Sequence, residues 1–115
     1  MTIVEIFRNN KGNIIRYRVS GHSGFAKKGS DIVCAAVSAL SQTALMSLVD
    51  VVGISEEDID FYIEDQKGIL DVSIPNILDK STMKSAQVVL ETLELGIKSI
   101  VEIYPEHVTL KYREV

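Results

Sequence analysis

The sequence predicts an α+β domain in which two helices cover one side of a five-stranded, mostly antiparallel sheet. Five short segments alternate apolar and polar residues, two longer segments have helical character, and their order is ββαββαβ. Most predicted strands are polar on one face, so water would meet that face and both helices would lie on the other. With 115 residues, 46% of them apolar, residues 1–115 are expected to form a single domain.

The first two strands are predicted to form a hairpin. Between Thr2 and Arg8 apolar and polar residues alternate as in a strand at the edge of a sheet, and residues 9–13 have the composition of a turn. In the next segment, from Ile14 to Ser20, alternation places one apolar face opposite a face with two arginines. The inward residues of this second strand are expected to be Ile15, Tyr17 and Val19.

Three further strands follow the same pattern. The segments Ile59 to Glu64 and Ile69 to Ile74 alternate and are joined by a turn at residues 65–68, which predicts a second hairpin. The last strand is expected from His107 to Arg113. The inward residues are expected to be Ile59, Phe61, Ile63, Leu70, Val72, Ile74, Val108, Leu110 and Tyr112.

The first predicted helix begins with Ser30 or Asp31 as its cap and continues to about Val52, where Gly53 would end it. This helix is apolar on nearly every side. Such a helix is usually covered on more than one face, here by the sheet, the second helix or a partner subunit.

The second predicted helix extends from about Thr82 to Tyr104, with Asp79 or Ser81 as its cap and Pro105 behind it. It is amphipathic and would pack by one apolar stripe. The stripe consists of Ala86, Leu90, Leu93, Ile97, Ile100 and Tyr104. The residues expected outside it are Glu91, Glu94, Lys98 and Glu102.

Charge and composition exclude several classes of protein. The net charge is −4 and the basic residues are scattered, which argues against a protein that binds nucleic acid. The apolar run from Ile32 to Val52 contains too many polar residues for a membrane span, and we expect no secretory leader at Met1. A single cysteine cannot form an intramolecular disulfide, so we expect a cytoplasmic protein.

The candidate functional site lies between Gly21 and Ser38. This segment contains the only cysteine, Cys34, and one of two histidines, His22. A thiol and an imidazole are the groups needed for nucleophilic catalysis. Cys34 is expected in the first turn of the first helix, where free backbone N–H groups and the helix dipole favour a thiolate. His22 would supply an imidazolium and later act as a general acid.

Residues around this pair are supporting candidates. Asp31 is either a helix cap or a group that orients His22, and Ser38 lies one turn after Cys34 on the same helix face. Ser38 would hydrogen-bond near the thiol or return to its own helix carbonyl.

The loop that joins the two candidate catalytic residues is rich in glycine. Gly21, Gly24 and Gly29 would let it approach or cover a ligand, and Phe25 offers an apolar contact, so these four form a candidate substrate loop.

Two other interpretations of the site are open. Cys34 can be a small buried core residue and His22 a surface residue, in which case the cleft would belong to a non-catalytic module that binds peptides. A metal site built from His22, Asp31, Cys34 and His107 is disfavoured, because His107 belongs to a distant strand and no paired-cysteine spacing occurs. We therefore expect neither a metal nor a cofactor.

The site segment resembles the signature of a known family. The motifs GHSG at residues 21–24 and GSDIVCAAVS at residues 29–38 closely resemble those of the ribosomal-processing cysteine proteases, the Prp family. The similarity extends over the whole chain in length and element order. It implies a homodimer of small α+β subunits in which His22 and Cys34 form the catalytic pair.

The resemblance also implies a substrate. Members of this family remove a short N-terminal extension from a large-subunit ribosomal protein, the twenty-seventh in the usual count, during ribosome maturation. Cleavage follows a pair of aromatic residues. The implied partner is thus the N-terminal peptide of a ribosomal protein precursor, with no membrane and no direct nucleic-acid contact.

Overall fold

The structure is a computed structural model that describes residues 1–21 and 30–115, except for the side chains of Ser30 and Asp31. The elements are β1 Thr2–Arg8, β2 Ile14–Ser20, α1 Ser30–Asp50, β3 Asp60–Glu64, β4 Ile69–Ser73, α2 Lys80–Ile103 and β5 Val108–Glu114, with a short 3-10 turn at Glu56–Asp58. The predicted order ββαββαβ and the α+β class are confirmed.

The five strands form one sheet in the order β3-β4-β2-β1-β5. Both predicted hairpins are present, β2 pairs with β4 in antiparallel fashion, and β1 pairs with β5 in parallel. The prediction that β1 is an edge strand is wrong, because β5 adds to its other side. Alternation reports the two faces of a strand and carries no information about its neighbours.

One face of the sheet carries the core and the other carries charges. Val4, Ile6 and Tyr17 are each at most 1% exposed beneath the helices. On the opposite face the Arg16 and Arg18 guanidiniums donate to Asp71, at 2.6 and 2.8 Å. Partial burial opposes ionisation of Asp71, but these two groups hold its pKa below the ordinary value.

A bulge changes which residues of β2 face the helices. The β1–β2 register shifts between Phe7 and Arg8, so that Arg8 pairs with Ile14. Ile14 is 1% exposed, whereas Ile15 is partly buried. The extra residue reverses the alternation at this point, and Ile14, which the sequence pattern did not select, belongs to the core.

Helix α1 begins at Ser30, so the two residues predicted as caps are both helical, and the preceding residue lies outside the described part of the chain. At the other end Gly53 adopts a φ of 90°, and the Ile54 amide donates to the Leu48 carbonyl at 3.0 Å. The predicted stop at Gly53 is confirmed.

Helix α1 packs against the sheet by a narrow stripe and against α2 on a second side, and the rest of its surface is open. The buried stripe consists of Val33, Val37, Ser41, Ala44 and Leu48. On a second side it meets α2, where a Cβ added to Gly96 would lie 2.8 Å from Leu40 Cδ1. The prediction that α1 is covered on more than one face is confirmed for the sheet and α2, while Ile32 and Met46 are each 58% exposed.

By length and composition alone, the segment Ile32–Asp50, with a mean hydropathy of 1.9, is long and apolar enough to cross a membrane. Core helices of soluble proteins meet the same criterion. The sequence-based expectation that this helix does not span a membrane therefore stays a prediction.

Helix α2 is capped as predicted, because the Asp79 side chain accepts a hydrogen bond from the Thr82 amide at 2.7 Å. Ala86, Leu90, Leu93 and Ile97 of the predicted stripe are buried.

The prediction that Glu94 lies outside the stripe is wrong, because Glu94 is only 8% exposed. Arg8 Nη2 lies 2.8 Å from Glu94 Oε1, and the Tyr112 hydroxyl donates to Oε2 at 2.6 Å. Burial alone would raise the pKa of Glu94, but these two donors hold it below the ordinary value. Burial and the same carboxylate raise the pKa of Tyr112 to about 12. One glutamate thus joins the first strand, the second helix and the last strand.

We expect Glu94→Gln to lower the free energy of unfolding by about 1–2 kcal/mol at neutral pH, since it removes the charge that Arg8 and Tyr112 bind. The folded pKa of Glu94 lies below its ordinary value of 4.5, so its contribution is present above that pH and is lost as the pH falls through the folded pKa. Urea unfolding should therefore show a difference between wild type and variant at about pH 7 that shrinks as the pH is lowered below 4.5.

Glu102→Gln is the matched control, because Glu102 is exposed on the same helix. It should change stability little at either pH. Equal losses in the two variants, or a Glu94→Gln loss that does not depend on pH, would contradict a stabilising role for the ionised Glu94.

Candidate active site

A cleft beside Cys34 lies between the first half of α1 and the β3–β4 hairpin. Cys34 and Ser38 line it from the helix. Val19, Leu70 and Ile63 line it from three neighbouring strands, where Val19 pairs with Leu70 and Leu70 pairs with Ile63. The cleft that Cys34 lines therefore has an apolar wall supplied by the sheet.

The far end of the cleft is formed by the turn of the second hairpin. Glu64, Asp65 and Gly68 line it there, and Ile63 is 50% exposed. Since β3 is the last strand of the sheet on this side, its outer backbone edge has no strand partner in the described chain. The cleft is thus apolar along the sheet and acidic at the hairpin turn.

Cys34 is the fifth residue of α1 and is half-buried. The prediction that it lies in the first turn is therefore wrong, because the helix begins at Ser30 rather than after Asp31. Its Cα–Cβ bond still tilts towards the helix N-terminus, as in every α-helix. The Sγ atom lies 3.5 Å from the Thr2 hydroxyl of β1.

Gly21 directly follows β2 and lines the same cleft. Its φ is 79°, and a Cβ added there would lie 2.6 Å from the Met1 carbonyl oxygen. Both the left-handed backbone and the close approach require glycine. The chain around Met1 and Thr2 thus contacts the predicted site segment at its first residue, Gly21, and at Cys34.

The other predicted site residues divide into two groups. Ser38 is exposed and lines the cleft one turn after Cys34, and Asp31 is the second residue of α1. The remaining predicted residues lie outside the described residues: His22 of the catalytic pair, and Gly24, Phe25 and Gly29 of the substrate loop. Their roles stay predictions.

Thr2 is the site residue that the sequence reasoning missed. Alternation in β1 places position 2 on the same face as Val4 and Ile6, so a polar side chain occupies an inward position at the end of a buried strand. This mismatch is a usable signal, since a buried polar group requires a partner. The partner, Cys34, is 32 residues away, and no local pattern links the two.

Comparison with known protein families supports a cysteine protease. The family model described as Cysteine protease Prp matches residues 1–109. The chain belongs to the Prp family of cysteine proteases. The resemblance identified from the two sequence motifs is thereby confirmed, and the interpretation as a non-catalytic binding module is replaced by that of an enzyme.

Relatives within the Prp family have been characterised by sequence and by structure. The Staphylococcus aureus ribosomal processing cysteine protease Prp is 29% identical over 98% of this chain and 100% of its own. A crystal structure of S. aureus Prp with a substrate peptide has a TM-score of 0.82 at 26% identity, over 98% and 100% of the two chains. A second structure, with a covalently linked product peptide, has a TM-score of 0.79 at 26% identity, with the same coverage.

We expect Gly21→Ala to lower the free energy of unfolding by roughly 2 kcal/mol or more, because alanine is strained at this φ and its Cβ would collide with the Met1 carbonyl. Chemical denaturation followed by circular dichroism measures the loss. Gly12→Ala is the matched control, since Gly12 has a φ of 82° but no atom within 4 Å of an added Cβ. It should lose only about 1 kcal/mol. Equal losses at the two positions would show that the contact with Met1 is unimportant.

Proposed function

We propose that this Prp-family protease removes the N-terminal extension of the twenty-seventh large-subunit ribosomal protein, with Cys34 as nucleophile and His22 as its acid–base partner. The observation that carries the proposal is the half-buried Cys34 on the wall of an open cleft, in a chain of a cysteine protease family. Cys34 is also the only cysteine in the sequence, so no other thiol is available for the reaction.

The proposed reaction proceeds through an acyl-enzyme. The Cys34 thiolate attacks the scissile carbonyl carbon and forms a thioester as the peptide C–N bond breaks, and His22 gives a proton to the leaving amine. A water molecule, deprotonated by His22, then hydrolyses the thioester and restores the thiol. The product peptide linked covalently to S. aureus Prp supports a covalent intermediate in this family.

The apolar lining of the cleft supports cleavage after aromatic residues. Its sheet side consists of Val19, Leu70 and Ile63, which offer an apolar surface next to the thiol. Aromatic side chains bury a large area on such a surface, and apolar walls are typical of pockets that bind them. In this proposal the aromatic pair that precedes the scissile bond lies against these three strands.

We expect Cys34→Ser to bind a peptide that spans the extension but to cleave it at least about a thousandfold more slowly, because a hydroxyl without a strong base is a weak nucleophile. His22→Ala should also lose cleavage. Mass spectrometry of the incubated peptide identifies both the loss and the bond that is cut. Cleavage at a bond that does not follow the aromatic pair would contradict the proposed specificity.

Ala39→Ser is the matched control for Cys34→Ser, because it introduces the same side chain elsewhere on the same helix. Ala39 is exposed on α1 within two turns of Cys34, and it is not among the residues that line the cleft. This variant should cleave at the wild-type rate. Efficient cleavage by Cys34→Ser would refute Cys34 as the nucleophile.

We also propose that the protein is a cytoplasmic homodimer. Exposed apolar residues on the outer side of the two helices support the proposal of a dimer. Val88 and Leu95 of α2 are 60% and 65% exposed. Beside them a shallow groove between the helices is lined by Leu40 and Ala44 of α1 and Leu93 of α2. Apolar residues grouped on one surface favour association with a complementary surface, and a second copy supplies one.

We expect the double variant Val88→Lys, Leu95→Lys to be monomeric at concentrations at which the wild type is dimeric, because it places charges on the proposed apolar contact. Analytical ultracentrifugation measures the mass. Ile77→Lys is the control, since Ile77 is 91% exposed and lies in the loop before α2. A wild-type monomer, or a dimer that persists in the double variant, would refute this interface.

A further inference from the structure

Thr2 is a polar residue in an apolar environment. It is 3% exposed, and the residues that follow on the same face of β1, Val4 and Ile6, are core residues. Its hydroxyl lies 3.5 Å from Cys34 Sγ, which is its hydrogen-bond partner within the described chain. A buried hydroxyl is stabilised by such a partner, and here the partner is the proposed nucleophile.

Thr2 is held by β5 directly and by β2 through the next residue, Ile3. Its amide donates to the His107 carbonyl at 3.0 Å, and in the parallel ladder Thr2 pairs with Val108 of β5. On the other side, Ile3 pairs with Ser20 of β2, directly before Gly21. The side chain is also branched at Cβ, which restricts its rotamers. The hydroxyl is therefore presented to Cys34 from a rigid position at the end of a central strand.

We propose that Thr2 is a positioning residue that orients Cys34 Sγ in the cleft and donates a hydrogen bond to its thiolate. This inference rests on the proposed role of Cys34. When the thiol is neutral, either group can donate, but a thiolate has no hydrogen and can only accept. Ionisation of Cys34 therefore fixes the direction of the bond and strengthens it, because hydrogen bonds to charged groups are the stronger ones.

A purely structural role for Thr2 makes a different prediction. If the side chain only filled space, valine would replace it well, since valine has nearly the same shape and places no polar group in the core. The hydroxyl matters only if it acts on the sulfur. The reactivity of the sulfur, as distinct from the stability of the fold, therefore separates the two roles.

The test compares Thr2→Val with Thr2→Ser, which keeps the hydroxyl. We expect Thr2→Val to lower kcat about tenfold with little change in KM, since the hydroxyl acts on the thiolate and is nearly inaccessible to a peptide. The pH profile of Cys34 alkylation by iodoacetamide should shift to higher pH in Thr2→Val, because the thiolate loses a donor. Thr2→Ser should retain the wild-type profile and most of kcat.

Two controls keep the outcomes distinct. The unfolding midpoint of each variant shows whether it folds, and if Thr2→Val does not fold, Thr2→Ala against Thr2→Ser isolates the hydroxyl on a side chain without the methyl group. A wild-type alkylation profile and kcat in the variant without the hydroxyl would overturn the positioning role while the protease assignment stands. If wild-type protein does not cut the ribosomal peptide, the proposed substrate fails, and the alkylation profiles still decide the role of Thr2.

Discussion

The position of the candidate active site depends on one buried hydrogen bond between the sheet and α1. The Tyr17 hydroxyl, on a residue with no exposed surface, donates to the Ser41 carbonyl at 2.8 Å. Burial raises the pKa of Tyr17, so the hydroxyl remains a neutral donor. Ser41 lies seven residues after Cys34, hence on nearly the same face of the helix. The hydrogen bond from Tyr17 fixes the orientation of α1 on the sheet. The same orientation turns the face that carries Cys34 towards the cleft.

Strand β1 connects this site to the rest of the scaffold. Its helix-facing residues begin with Thr2 and end with Arg8, and both are polar. Thr2 reaches Cys34 of α1, and Arg8 reaches Glu94 of α2, while the residues between them are apolar core. Each helix is thus attached to a different end of the same strand. β1 supports these contacts because it lies between β2 and β5 and pairs with both of them.

Local patterns in the sequence were sufficient to predict the elements and, apart from the bulged start of β2, the faces of the strands, as the buried Leu70, Val72 and Ile74 in and just after β4 illustrate. These patterns gave wrong predictions where the position of a residue depends on a partner that is distant in sequence. Glu94 lies four residues after Leu90, beside the apolar stripe, and its charge led to the prediction that it points outward. Its inward position depends on Arg8 and Tyr112, from strands at the two ends of the chain, which bind its carboxylate. The neighbour of β1 and the partner of Thr2 were not predictable for the same reason, since both depend on how remote segments meet.

The parallel pairing of β1 with β5 links the site to the topology of the chain. Thr2 pairs with Val108, so the contact that fixes the start of β1 closes a loop that includes almost every other residue. Bringing together segments so far apart in sequence costs chain entropy, which the contacts made in the folded sheet must offset. Thr2 therefore joins the two ends of the chain at the cleft, because its amide donates to the His107 carbonyl and its hydroxyl lies beside Cys34.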